Sequence, residues 1–471
     1  MSDTSVERKW PLVFRFGETV SIPAYIKSLS ERPGSIWREY FGQRDAYPGE
    51  LPSIMVKHIY TGAMGSIYFA LITGIFFVYF GNAIGMSPFG WSLMGGVSSF
   101  LLAVQIVSAR ITQLLGHRKM LWFLCALTSR VVRLAGILVA LWLWHGGSAH
   151  GCIVLIGAVW VAAFFEALAT PAWMSWLADI IPEHEQGGFW GRRAAWIGAA
   201  IICVVVPAGL LMDRVPEARR LHTAVAIFIV AGVLGIADLV IHGTLPEPAM
   251  AAGEEGSFFT QLLAPLRDRG FRPWLAFSMV WWFGVTLGGS LAVLFFMDNL
   301  RIKENLLGGQ LALTAVWLVG SILTASWSGK LVDRVGPRRV LFWGHLFWSL
   351  LPAFWIFATP RTALVWLGMG SLVGGTSLTA ADTASTKLIT RYPQPADRAM
   401  YLAVWSCLGS LAGGAGMLAA GAVLKALHNW TWAFMGWTFV AFHVLFVASV
   451  VLRLASVGIF LHRVKDPGEQ A

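Results

Sequence analysis

The feature that most constrains this 471-residue chain is a series of long apolar stretches that recur from residue 58 onward, separated by short polar breaks. A helix that crosses the hydrocarbon core of a bilayer needs about 20 predominantly apolar residues. Twelve stretches meet that length. They cover residues 58–82, 89–112, 119–144, 150–181, 193–213, 220–243, 273–299, 307–331, 337–358, 362–391, 398–426 and 430–461.

The composition excludes a soluble fold. Hydrophobic residues make up 56% of the chain and charged residues only 13%, whereas a soluble domain carries about 25% charged residues. Such a chain cannot cover its own surface with polar groups. Helices in lipid satisfy their own backbone hydrogen bonds, so we predict an all-α polytopic membrane protein with about twelve transmembrane helices.

The polar segments divide the chain into five parts. The first 57 residues hold 8 Lys and Arg and 7 Asp and Glu, so we expect them to lie in water. A second polar segment separates the spans into six and six. We therefore predict an N-terminal cytoplasmic segment, a six-helix bundle, a central cytoplasmic linker, a second six-helix bundle and a cytoplasmic tail, at 1–57, 58–243, 244–272, 273–463 and 464–471.

The basic residues predict the orientation of the chain. Of the 35 Lys and Arg, seven fall in loops on one side and three inside spans, which leaves 25 on the side of the N-terminal segment. Cytoplasmic loops carry the excess of positive charge. We therefore expect both termini in the cytoplasm and the chain in the plasma (inner) membrane. This rule also explains the net charge of +10, so we expect no nucleic-acid partner.

The chain lacks the common signatures of an enzyme or a metalloprotein. The four cysteines stand far apart in apolar runs, where they are typical of small core residues. There is no phosphate-binding Gly-x-x-x-x-Gly-Lys-Ser/Thr loop, no Gly-x-Ser-x-Gly elbow and no His-Glu-x-x-His helix. We therefore expect no catalytic activity, no cofactor and no metal.

Two corresponding loops indicate an internal repeat. The loop after the eighth span reads GKLVDRVGPRRVL over residues 329–341, and the loop after the second span reads ARITQLLGHRKML over residues 109–121. Both have a central glycine, a basic pair and a final leucine at the same positions. Repeated six-helix halves are typical of secondary transporters.

The loop at 329–341 resembles the signature loop of the major facilitator superfamily, which recurs between helices 2 and 3 and between helices 8 and 9. The resemblance implies that these loops govern the switch between inward-open and outward-open states. The residues that match are Gly329, Asp333, Arg334, Gly336, Arg338 and Arg339 in the second half, and Gly116, Arg118 and Lys119 in the first. Gln113 replaces the acidic residue of the first loop, which weakens the expectation of a charge-based latch there.

A second, looser resemblance concerns the junction of spans 4 and 5. The run PAWMSWLADIIP at residues 171–182, followed by Arg192 and Arg193, resembles the corresponding junction of a poorly characterised bacterial group in the same superfamily. This resemblance implies no particular substrate.

Ionisable side chains inside spans are costly in lipid and indicate a partner or a function. Arg130 and Arg133 lie 11 and 14 residues from the start of span 3, and Glu166 lies 15 residues from the end of span 4. Because these positions have similar depth, we predict an Arg133–Glu166 ion pair. Arg130 either joins the pair or faces a cavity that receives an anionic substrate group. The alternative is a purely structural pair.

Span 10 carries a row of threonines at helical spacing, which predicts one polar helix face. The row and the acid beside it comprise Thr376, Thr379, Thr383, Thr386 and Asp382. In the superfamily, helices 1, 4, 7 and 10 line the central cavity, so the resemblance implies that Asp382 contacts a proton or a substrate there. The alternative is a packing face of small hydroxyl groups.

Tryptophans on spans 4 and 7 are the remaining candidates. By the same resemblance, Trp173, Trp176, Trp281 and Trp282 face the cavity and stack on a flat solute, with ordinary helix packing as the alternative. We expect a monomeric secondary transporter of a small organic solute. The sequence does not decide whether transport is coupled to a proton or to another cation. The alternative function is a membrane sensor or an assembly scaffold of the same fold.

Overall fold

A computed structural model describes residues 40–47, 49–249, 258–391, 398–434 and 437–464. The N-terminal segment up to residue 39 and the tail beyond residue 464 lie outside the described residues. The residues from Gln43 onward belong to one compact unit.

The first half of this unit consists of eight helices joined by short turns. A 3-10 turn at Leu102–Val104 joins two helices, and the first helix begins at Leu51 rather than at residue 58. The helices are α1 Leu51–Thr73, α2 Ile75–Ala83, α3 Pro88–Leu101, α4 Gln105–Leu115, α5 Arg118–His145, α6 Gly151–Ile180, α7 Glu183–Arg214 and α8 Glu217–His242.

The second half follows a short linker helix, α9, and its long helical segments are interrupted more often than those of the first half. A 3-10 turn at Ile302–Glu304 and a π-helical turn at Leu311–Ala315 flank one short helix. The helices are α9 Phe258–Arg267, α10 Arg272–Gly289, α11 Ala292–Asp298, α12 Leu306–Gln310, α13 Val316–Val335, α14 Pro337–Ser349, α15 Leu351–Ile356, α16 Ala363–Arg391, α17 Arg398–Ala426 and α18 Ala441–Phe460.

Eleven helical segments of the described residues are long and apolar enough to cross a membrane. The ninth predicted span is not among them because it is divided into α14 and α15. Together with that pair, the segments follow the twelve predicted spans in order. The structure therefore confirms the all-α polytopic class.

The break in the ninth span has a local cause. Pro352 has no backbone N–H, so it cannot donate to the carbonyl of Trp348 as a continuous helix would require. The Arg453 guanidinium on α18 donates to this carbonyl instead, at 3.0 Å. Arg453 is 1% exposed and also lies over the rings of Trp281 and Trp348, at 5.7 and 6.0 Å. No local sequence pattern connects Arg453 to this break.

This arrangement predicts the effect of removing the guanidinium. We expect Arg453→Leu to lower the free energy of unfolding by about 1–3 kcal/mol, because a buried carbonyl loses its donor. Adding Pro352→Ala should recover part of the loss, since the alanine N–H can donate to the Trp348 carbonyl. Equilibrium unfolding in mixed micelles measures both variants. Equal losses in the single and double variants would contradict this explanation.

One prediction about the last span is wrong. Residues 431–434 and 437–440 were expected to lie in a transmembrane helix, but they form two antiparallel strands, β1 Thr431–Phe434 and β2 Trp437–Val440, with Thr431 opposite Val440. The segment is rich in aromatic and β-branched residues, which favour strands. A short apolar run alone does not distinguish a strand from a helix.

The two halves make their closest described contacts toward one end of the bundle. We call the end with the chain turns at residues 116–117 and 336 the basic end, and the end with the turns at 84–87 and 299–305 the opposite end. Near the opposite end, both carboxylate oxygens of Asp213 on α7 accept backbone N–H groups of Leu306 and Leu307 at 2.8 Å. An acid at a helix N-terminus is favourable, so Asp213 joins the halves by capping α12.

A second contact between the halves, also toward the opposite end, is made by small residues. An added Cβ at Gly96 on α3 would lie 3.2 Å from the carbonyl of Gly414 on α17, and one at Gly421 would lie 2.3 Å from Cβ of Ser92. The Ser92 hydroxyl donates to the carbonyl of Met417 at 2.6 Å. Small residues permit this close approach of helix backbones.

Candidate functional site

A cavity of about 240 Å³ lies within the first half, among α1, α5, α6, α7 and α8. We call it the basic-end cavity. It combines hydroxyl groups, aromatic rings and ionisable groups. Its lining includes Thr61, Ser66, Phe69, Trp122, Ser129, Arg130, Glu166, Thr170, Trp173, Arg193, Asp238 and His242.

A second cavity of about 390 Å³ lies between the two halves. We call it the central cavity. The first half contributes residues of α1, α2, α3, α5 and α6, and the second half contributes residues of α11 and α17 together with the chain between α10 and α11. Its lining includes Thr73, Phe77, Trp91, Ser98, Arg133, Val159, Glu166, Ser290, Leu294 and Met417.

Glu166 lines both cavities. Its carboxylate accepts from Arg133 Nη2 at 2.8 and 2.9 Å and from the Ser129 hydroxyl at 2.7 Å. The predicted Arg133–Glu166 pair is therefore present. The Arg133 side chain is 6% exposed and that of Glu166 is 25% exposed, so the carboxylate is the accessible member of the pair.

Arg130 does not join this pair. Its guanidinium donates to Asp238 on α8 at 2.7 Å and to the carbonyl of Gly235. Both side chains of the Arg130–Asp238 pair are 8% exposed. The sequence analysis paired neither residue with the other.

Two buried histidines lie beside the ion pairs, and sequence reasoning missed both. Trp173 donates its indole N–H to Nε2 of His242 at 3.1 Å, and Nδ1 of His242 contacts the Thr61 hydroxyl at 2.8 Å. Arg193 Nε donates to Nδ1 of His58 at 3.1 Å. An indole or guanidinium N–H can only donate, so each histidine accepts at one ring nitrogen and is neutral in this arrangement.

The predicted tryptophans occupy different environments. Trp173 lines the basic-end cavity. Trp281 is 2% exposed and packs in the second half against His345 and Trp348, with ring centroids 4.5 and 5.1 Å apart. Trp282 makes an edge contact with Trp348. Trp176 is fully buried and donates its indole N–H to the carbonyl of Pro246 at 2.8 Å. For Trp176 and Trp281 the structure shows packing, so the prediction of cavity-facing rings there is wrong.

The threonine face of α16 packs against a neighbouring helix. Thr379 and Thr383 donate to carbonyls one turn earlier in their own helix, and the Thr383 hydroxyl lies 3.1 Å from that of Ser328 on α13. Neither described cavity is lined by Thr379, Thr383, Thr386 or Asp382. Thr379 and Thr383 therefore lie as the packing alternative requires, whereas Thr386 and Asp382 are exposed.

The loop after α4 is held by acidic residues that lie far away in the sequence. The Arg118 side chain is 1% exposed and pairs with Asp179 at 2.5 Å. The carboxylate of Glu247 accepts the backbone N–H groups of Arg118 and Lys119 at 2.6 and 3.1 Å. Burial raises the pKa of Glu247, whereas these two hydrogen bonds lower it. Charged contacts thus hold the first loop although Gln113 replaces the acid of the loop.

The corresponding loop of the second half uses its own acid. Asp333 pairs with Lys387 on α16, and Arg338 donates to the carbonyl of His462 at 2.5 Å. Arg334 and Arg339 are exposed. Gly116 and Gly336 have φ values of 66° and 92°, a backbone conformation that favours glycine, so both loops turn at the repeated glycine.

Comparison with known families gives a match over this second half. The model of the Major Facilitator Superfamily matches residues 287–458, which include the loop at 329–341. Over these residues the chain is similar to the major facilitator superfamily. Comparison with proteins of curated function gives no match.

Solved structures share the superfamily fold. A variant of the nucleoside transporter NupG gives a TM-score of 0.65 at 11% identity, covering 88% of this chain and 100% of that one. A bacterial homologue of the human lysosomal transporter Spinster, in an inward-facing conformation, gives 0.60 at 16% identity, covering 89% and 98%. A bacterial homologue of the iron transporter ferroportin gives 0.53 at 14% identity, covering 88% and 98%. These similarities confirm a multi-pass membrane protein of the major facilitator fold.

Proposed function

We propose that this protein is a secondary transporter of the major facilitator type that moves a small organic solute by alternating access. The observation that carries the proposal is the position of Glu166, which lines both the basic-end cavity and the central cavity. A solute that moves from one cavity to the other passes the Arg133–Glu166 pair. We propose Glu166 and Arg133 as the central polar contacts and Trp173 as a stacking surface.

The proposal also explains why the halves meet near the opposite end. The cap of Asp213 on α12 and the glycine contact between α3 and α17 close this end in the conformation described here. Access from the opposite end requires both contacts to separate. We propose that the loops at 109–121 and 329–341 exchange partners during this movement, with both termini in the cytoplasm, the protein monomeric and a proton or cation as the coupling ion.

Cross-linking across the glycine contact tests this proposal without knowledge of the solute. An added Cβ at Gly96 would lie 2.8 Å from Cγ of Leu418, so cysteines at these two positions are close enough for a disulfide. The background should lack the native cysteines Cys125, Cys152, Cys203 and Cys407. A reporter cysteine at Ser98 samples the central cavity.

We expect an impermeant maleimide to label the reporter from either side of the membrane before oxidation, and only from the basic end after oxidation. Reduction should restore labelling from both sides. The protein with the reporter alone is the matched control. If the reporter is labelled from one side only and oxidation changes nothing, alternating access fails and the alternative function as a sensor or scaffold is favoured.

A further inference from the structure

The charges around the basic-end cavity do not balance. Arg130 is paired with Asp238 and Arg133 with Glu166, at 2.7 and 2.8 Å. These two pairs are neutral. Arg193 also lines the cavity, and among the described residues no carboxylate lies within ion-pair distance of it.

The neighbouring histidines add no charge to this balance. His58 accepts from Arg193 Nε, and His242 accepts from Trp173. Both rings are therefore neutral in this arrangement. Within the part of the chain that the structure describes, Arg193 is the uncompensated cation of the cavity.

The surroundings of Arg193 fix its side chain and leave one edge available. Its guanidinium lies 5.6 Å from the ring of Trp173 and 5.4 Å from the ring of Trp190, which favours a cation between them. The Nε atom is used by His58. No hydrogen bond from either Nη atom to a described residue is present, so the two-pronged edge that binds oxyanions bidentately is free.

Gly62 on α1 leaves the space that this edge requires. A Cβ at this position would lie 2.6 Å from Arg193 Nη2. Any larger residue would therefore displace the guanidinium. The same cavity is lined by the hydroxyls of Thr61 and Ser66 and by the rings of Phe69 and Trp173, of which Trp173 lies beside the guanidinium.

We infer that Arg193 binds the anionic group of the solute, and that the solute is a small organic anion with a carboxylate or phosphate group. This inference rests on the proposed transport function and specifies its substrate class. The Arg193 guanidinium holds the oxyanion through its Nη atoms. The rest of the solute lies against Trp173 and Phe69. A volume of about 240 Å³ suits a solute smaller than the drug-sized ligands of typical pockets.

Matched pairs of anionic and neutral solutes test this inference by binding alone. We suggest succinate against succinamide, and benzoate and phenyl phosphate against benzyl alcohol, with thermal unfolding of the purified full-length protein at constant ionic strength as the measurement. We expect at least one anion to raise Tm and its neutral partner to have no effect. Comparison of succinate and benzoate with phenyl phosphate identifies which oxyanion is preferred.

Three variants separate binding from folding. Arg193→Gln should weaken binding of the anion about 10- to 100-fold, since charge-assisted hydrogen bonds are lost. Arg193→Lys retains the charge without the two-pronged edge, and Gly62→Ala retains the arginine but displaces it; both should weaken binding by a smaller factor. If Arg193→Gln does not fold, these two variants carry the test.

Several results would overturn the inference. Equal effects of anions and their neutral partners would do so, as would unchanged anion binding in all folded variants or no anion binding up to the solubility limit. Failure of the proposed transport function has a different signature. In that case anions bind through Arg193, but proteoliposomes move none of them.

Discussion

Replacing Asp238 with leucine is expected to lower the free energy of unfolding by about 3–5 kcal/mol, because the partner cation would be left buried without a counterion. The two side chains of the Arg130–Asp238 pair are each 8% exposed. Arg130→Leu should cost a similar amount. Equilibrium unfolding in mixed micelles provides the measurement.

The double variant Arg130→Leu/Asp238→Leu is the decisive control. Replacing both members of a buried pair with apolar residues of similar volume is often neutral. We therefore expect the double variant to be more stable than either single variant. If its loss equals the sum of the two single losses, the residues are not coupled and the explanation by an unpaired charge is wrong.

Replacing Glu166 with glutamine is the second large effect that we expect. The substitution keeps the shape of the side chain but removes the negative charge that pairs with Arg133. The hydrogen bonds of Arg133 at the point where the two cavities meet are therefore weakened. Loss of charge-assisted hydrogen bonds is expected to reduce uptake into proteoliposomes about 10- to 100-fold. The solute is the one that the matched-pair binding assay identifies.

Ser129→Ala is the matched control for this experiment. It removes one neutral donor to the same carboxylate, at 2.7 Å, and leaves the charge in place. We expect a reduction of less than about 10-fold for this variant, in line with the weaker net effect of a neutral hydrogen bond. Full uptake by a folded Glu166→Gln variant would show that the Arg133–Glu166 pair is purely structural.

The sequence predicted the Arg133–Glu166 pair because helix rise converts residue number into depth. Helix rise did not identify Asp238 as the partner of Arg130, because Glu166 lies at a depth similar to that of both arginines. Arg193 and His58 were missed for another reason. Both lie near span ends, where a polar residue is ordinarily solvated, and the sequence alone does not show that tryptophans enclose them.

Contacts between segments far apart in the sequence account for the other differences between the sequence-based predictions and the structure. The charged contacts of the first loop involve Asp179 and Glu247, which no local motif connects to Arg118. The cavity-facing prediction for Trp281 came from its helix, but the buried Arg453 places that ring within the second half. The order of the apolar spans therefore predicted the helical architecture. The direction in which individual side chains point could not be predicted, because it depends on contacts with residues far away in the sequence.

The glycine contact between α3 and α17 has a consequence for how the protein can vary. Gly96 and Gly414 each approach the other's backbone, and a Cβ at either position would meet a carbonyl oxygen at 3.2 or 2.8 Å. A side chain at Gly414 requires the backbone of α3 to shift, and one at Gly96 requires the facing backbone to give by a few tenths of an ångström even when Leu418 is shortened. This contact is therefore expected to be among the least mutable surfaces of the molecule, while the solute-facing residues remain free to diversify around it.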